Sequence, residues 1–117
     1  MDGRLMPATM FGFKLGQAEY IRNAGGRVTD DVIRSLFVAQ ELLHTKAILL
    51  VHHTDCIRDP NLMHWRSMEG LKESVKEDVA KLRASPLINK SIEIYGFVYD
   101  VKDASLTEVT RSVKSMA

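Results

Sequence analysis

The sequence has one cysteine, Cys56, so no intramolecular disulfide can form and an oxidising compartment is not required. Charge of one sign is also lacking. Sixteen basic and fifteen acidic side chains leave a formal net charge of +1, and no dense basic run occurs, which leaves nucleic-acid binding unsupported. Long hydrophobic runs are absent too. The longest, Ala47 to Val51, is far too short to cross a bilayer, and the first residues lack a basic segment followed by an apolar stretch. No membrane partner is expected, and a cytoplasmic location is. With three prolines and seven glycines in 117 residues, collagen-like and low-complexity readings fall away.

What is present is ordinary globular material, 45% hydrophobic and 26% charged. A chain of this length buries about two thirds of its extended surface, enough for one core and not for two. Residues 1–117 are therefore read as a single domain. Helical and strand periodicities alternate, which points to an α/β fold with a mostly parallel sheet flanked by helices. Pro7 to Leu15 reads as a short helix with Gly16 near its end, and Ala18 to Arg22 as a strand.

Gly25-Gly26 punctuates the chain, and Thr29 is a candidate N-cap before Asp30 and Asp31, which suit the positive helix end. The helix that follows carries Val32, Ile33, Leu36, Phe37, Gln40 and Leu43 along one face and ends near His44. Ala47 to His52 is a continuous apolar run, as expected of a central strand covered on both faces. From Ser67, Met68, Leu71, Val75, Val79 and Leu82 recur at helical spacing until Ser85-Pro86. Ile92 to Val101 is the last clear strand. Lys102 to Ser105 then turns the chain toward a weak final segment.

Ligands of open parallel sheets collect at the carboxyl ends of strands. Two segments satisfy that rule, Arg22 to Gly26 and His52 to Cys56. His53 and Cys56 are spaced H-x-x-C, which places an imidazole nitrogen and a thiolate within reach of one ion, and zinc suits both. The alternative is a buried structural cysteine beside a hydrogen-bonded histidine. Asp2 and Arg4, two positions apart, project to one side of an extended backbone and can form a charge-assisted pair, or else belong to a solvated terminus. The Asn23 to Gly26 turn lacks the spacing of a dinucleotide-binding loop, and its glycines serve backbone geometry. His52 should point away from His53. His44 can meet the negative end of a helix dipole, and His64 has no spacing argument at all.

The run Ile21-Arg22-Asn23-Ala24-Gly25-Gly26-Arg27-Val28-Thr29-Asp30-Asp31-Val32-Ile33-Arg34-Ser35-Leu36, followed by His52-His53-Thr54-Asp55-Cys56, resembles the β-class carbonic anhydrases. The likeness is to their small bacterial and fungal members, and continues into Tyr95 to Val101. It implies zinc-dependent, reversible hydration of carbon dioxide to bicarbonate, in which the ion makes hydroxide available at neutral pH. In that family zinc is held by Cys, His and a second Cys from C-x-D-x-R and H-x-x-C motifs. The resemblance thus assigns His53 and Cys56 to the metal, Asp2 and Arg4 to orienting the reacting hydroxide, and Asn23 and Gly25 to the substrate pocket.

The departures matter as much. Met1 stands where the residue after the first cysteine belongs, so the sequence lacks that ligand, and the family's first, central strand is missing. Ile57 replaces a glycine usual after the second cysteine, and the stretch before Ser67 is shorter than usual. Asp2 is then a possible third ligand, zinc is expected to bind weakly, and activity is expected to be low or absent. Two other functions stay open: an inactive relative serving as an interaction or regulatory subunit, and hydrolysis of carbon disulfide or carbonyl sulfide. Unpaired sheet edges left by the missing strand imply a homodimer or larger oligomer.

Overall fold

A computed structural model describes residues 3–54 and 68–113. The elements run α1 (Pro7–Phe11), a 3-10 turn (Ala24–Gly26), α2 (Asp30–Leu42), β1 (Ala47–His53), α3 (Met68–Ala84), β2 (Glu93–Asp100) and β3 (Ser105–Ser112). The strands form one sheet in the order β1-β2-β3. β1 and β2 are parallel, joined by α3 as crossover, whereas β2 and β3 are antiparallel. The sheet is therefore mixed, one pair of each kind, where a mostly parallel one was expected. The weak final segment is the reason. After the Val101–Ala104 turn, where Asp100 Oδ1 accepts from Lys102 N–H at 2.9 Å and Asp103 Oδ1 from Ser105 N–H at 3.0 Å, it returns along β2 as a hairpin.

Where the expected elements form, their bounds follow local signals. Thr29 caps α2 by accepting from Val32 N–H at 3.3 Å, with Asp30 and Asp31 in the first turn. Thr29→Ala is expected to cost about 1 kcal/mol of stability, read as a shift of the denaturant midpoint. The first helix stops at Phe11, short of Leu15, because Gly12 takes a left-handed φ of 68° at its C-cap.

The expected strand over Ala18 to Arg22 does not form. A strand exists only through a ladder partner, and the described residues supply none there. β1 likewise differs from its expected place. Among the described residues it is an edge strand, not a central one. Lys46 O accepts from Glu93 N–H at 3.2 Å and Tyr99 O from Thr54 N–H at 3.0 Å, so even-numbered positions of β1 bond toward β2. Ala47, Leu49 and Val51 then turn their backbone groups to the outer edge, where no described strand pairs with them.

One face of the sheet carries the core. Leu50, Ile94 and Val98 pack with Ile33 of α2 and with Leu71, Val75, Val79 and Leu82 of α3. Both long helices thus cover this one face. The other face receives α1, whose Phe11 meets Phe97 edge-on at 5.2 Å between centroids. α3 comes close at Gly96, where a Cβ would stand 2.5 Å from Val75 Cγ1. The stripe on α2 is narrower than its sequence suggests: Ile33 and Ala39 are buried, whereas Phe37, Val38, Leu42 and Leu43 are exposed.

Candidate metal centre

His52 and His53 end β1 on opposite faces of the sheet, as strand alternation requires. Both are buried. His53 places Nδ1 2.7 Å from the carbonyl oxygen of Thr54. A carbonyl only accepts, so Nδ1 carries the proton and the lone pair of the neutral ring lies on Nε2. An imidazole whose outer nitrogen is committed to a backbone carbonyl is the form in which histidine ligates zinc. Thr54 is itself fixed, its N–H on Tyr99 O at 3.0 Å and its hydroxyl oxygen accepting from Val101 N–H at 3.0 Å.

The turn after Arg22 packs directly on the end of β1. Gly25 and Gly26 take left-handed φ of 74° and 65°, and a Cβ on Gly26 would lie 2.4 Å from Val51 O. Asn23 donates from its side-chain amide to Arg27 O at 2.8 Å and closes the turn, and Gly25 is buried within it. Arg22 donates to Leu5 O at 2.8 Å, which draws the first described residues toward the same place. Arg4, the second described residue, is exposed. Asp2, Cys56 and His64 lie outside the described residues. Among the described residues no group of three His, Cys, Asp or Glu side chains could hold a metal. His44 is exposed one position past the α2 cap, with φ 57°.

Beneath His53 lies a polar network that sequence reasoning missed. Asp78 of α3 is 2% exposed and accepts from Arg27 Nε at 2.8 Å, Arg27 Nη2 at 3.0 Å, Val28 N–H at 3.0 Å and His52 Nε2 at 3.1 Å. His52 Nδ1 is 2.8 Å from Ser74 Oγ, whose hydroxyl donates to Leu71 O at 2.8 Å. Burial pushes the Asp78 carboxyl up, but its bonds from His52, Arg27 and Val28, with the Arg27 charge, hold it below the usual aspartate value. One signal was available. Ser74 and Asp78 stand at stripe positions of α3, between Leu71, Val75, Val79 and Leu82.

This arrangement, a buried histidine at a strand's carboxyl end facing a glycine turn, has relatives. The sequence model of the carbonic anhydrase family matches residues 1–58. β-Carbonic anhydrase 1 of Mycobacterium tuberculosis is 40% identical over 94% of this chain and 78% of its own length. The chain belongs to the β-carbonic anhydrase family. The crystal structure of carbonic anhydrase from Streptococcus mutans superposes with a TM-score of 0.81 at 41% identity, covering 94% of this chain and 77% of that one. A carbon disulfide hydrolase of Acidianus is also similar, 33% identical over 87% of this chain and 70% of its own length. Both chemistries therefore occur among relatives that share this β-carbonic anhydrase fold.

Proposed function

We propose that this chain holds a zinc site for reversible carbon dioxide hydration, with His53 and Cys56 as ligands, and that its 117 residues bind zinc weakly and turn over slowly. The observation that carries the reading is the buried His53 ring with Nδ1 on Thr54 O, which leaves Nε2 as the ligating nitrogen. Cys56, three positions on, supplies the only thiolate in the sequence. An imidazole nitrogen and a thiolate are a donor set suited to zinc. Asp2 is a third candidate ligand. When bound, zinc supplies the Lewis acidity that makes hydroxide available at neutral pH.

The chain's own groups then do the rest. With its carboxylate off the metal, Asp2 would accept a hydrogen bond from the attacking hydroxide and aim it, and Arg4 would keep Asp2 ionised; as a ligand, Asp2 would not play that part. Asn23 and Gly25 line the carbon dioxide pocket, consistent with their turn resting on the end of β1. These 117 residues supply one cysteine where the family uses two, and slow turnover is proposed for that ligand set only. The Acidianus relative supports a second reading, hydrolysis of carbon disulfide at the same centre, with carbonyl sulfide as the chemically related substrate. A non-catalytic interaction subunit is the third.

The same proposal includes a homodimer or larger assembly. The open outer edge of β1 and the exposed Phe37, Val38, Leu42 and Leu43 of α2 support it. A cytoplasmic location belongs with it; no described helix is long and apolar enough to cross a membrane. Metal analysis of zinc-replete protein, stopped-flow hydration and a carbon disulfide assay separate the three functions. The expected result is substoichiometric zinc and slow hydration. Cys56→Ser is expected to remove the remaining zinc with little change in Tm. Stoichiometric zinc with brisk turnover refutes the slow-enzyme reading, zinc retained by the Cys56→Ser protein refutes the ligand assignment, and a monomer in sedimentation refutes the assembly.

A further inference from the structure

We infer that His52 is a positioning residue for His53. Its ring, clamped by α3, holds the end of β1 so that the neighbouring imidazole keeps one orientation and one tautomer. This rests on the metal-ligand reading of His53 given above. Neighbouring strand residues face opposite sides, so fixing one ring fixes the direction of the other. His52 is 1% exposed, and both its nitrogens meet the same helix: Nε2 donates to Asp78 Oδ2 at 3.1 Å and Nδ1 lies 2.8 Å from Ser74 Oγ. Ser74 and Asp78 are four positions apart, one helical turn, which matches the two ends of an imidazole. A ring held at two points cannot turn about the strand axis.

The other neighbour of His53 is anchored from a different direction. Thr54 binds Tyr99 O of β2 through its N–H and accepts at its hydroxyl oxygen from the N–H of Val101, just past β2, and its carbonyl is the acceptor of His53 Nδ1–H. His53 therefore sits between a residue tied to α3 and a residue tied to β2. Asp78 also takes Arg27 and Val28 N–H, so the clamp draws in the glycine turn, and the place of a Gly26 Cβ is 3.5 Å from His52 Cδ2. An apolar side chain at 52 would fill the core with fewer demands. The polar network adds a defined direction instead, since every buried polar side-chain atom among the described residues has a partner.

The test compares the parent with His52→Leu, His52→Gln, Ser74→Ala and Leu82→Ala. Imidazole 15N NMR of metal-free protein reads the His53 tautomer, and calorimetric titration reads zinc affinity. The parent is expected to show one tautomer with Nδ1 protonated. His52→Leu is expected to mix the tautomers and weaken zinc about ten- to a hundred-fold. His52→Gln, whose amide can still donate to Asp78, is expected to recover part of both. Leu82→Ala, in the last turn of α3 and one turn beyond Asp78, should lower Tm and leave both unchanged. If His52→Leu does not fold, Ser74→Ala removes the Nδ1 contact, together with the Ser74 bond to Leu71 O, while leaving Asp78 on Nε2, and is expected to mix the tautomers. An unchanged His53 signal in the folded His52→Leu protein, or in Ser74→Ala should the former fail to fold, overturns the inference. Mixed tautomers in a protein whose parent binds no zinc uphold the clamp and overturn the metal reading instead.

Discussion

Asp78→Asn is expected to lower stability by about 3 kcal/mol at neutral pH, or Tm by roughly 10 °C. Asn keeps the shape of Asp but turns one acceptor atom into a donor. Whichever way the amide lies, it faces donors: Oδ2 accepts from Arg27, Val28 and His52, and Oδ1 from Arg27. Breaking a buried ion pair by removing one partner costs about 3–5 kcal/mol, and the low end applies because Arg27 retains contact with water.

The pH dependence has a definite sign. The folded Asp78 carboxyl is held below the usual aspartate value, so its stabilisation is complete above the unfolded value and is lost as pH falls through the depressed folded value. Urea midpoints of parent and variant should therefore differ most near pH 7 and converge below about pH 4. Equal midpoints at neutral pH would sink this account of the network.

Gly26→Ala is expected to cost about 3 kcal/mol, from two separable causes. The left-handed φ of 65° is the first, worth about 1 kcal/mol for a residue with a Cβ. The second is contact: that Cβ would stand 2.4 Å from the Val51 carbonyl, a backbone atom that can yield only by moving β1 or the turn. Gly12→Ala is the natural control, since Gly12 has φ 68° with nothing within 4 Å of its Cβ position. It should cost about 1 kcal/mol. Equal costs at the two positions, measured by chemical denaturation, would show that the turn does not press on the strand.

Much of the frame was legible from local chemistry. Thr29 with Asp30 and Asp31 marks the start of α2, Ser85-Pro86 the stop of α3, and the apolar run from Ala47 the span of β1, because caps, proline and hydrophobic period act within a few residues. The family was legible for the same reason, in contiguous motifs. Ala18 to Arg22 misled because its extended pattern says nothing about whether a partner strand lies beside it. On α2 the expected face held Ile33, which is buried, but also Phe37 and Leu43, which are exposed, and it left out Ala39, which packing turns inward.

The sequence alone determined the family, the spans of α2, α3, β1 and β2, and the histidine and cysteine spacing proposed for the metal. Tertiary structure decided that β1 is an edge, that α2 and α3 share one face, and that His52 meets Ser74 and Asp78, 22 and 26 positions away. Periodicity tells which side a residue takes, but hydrogen-bond partners that far apart are chosen only when a helix crosses back over its strand.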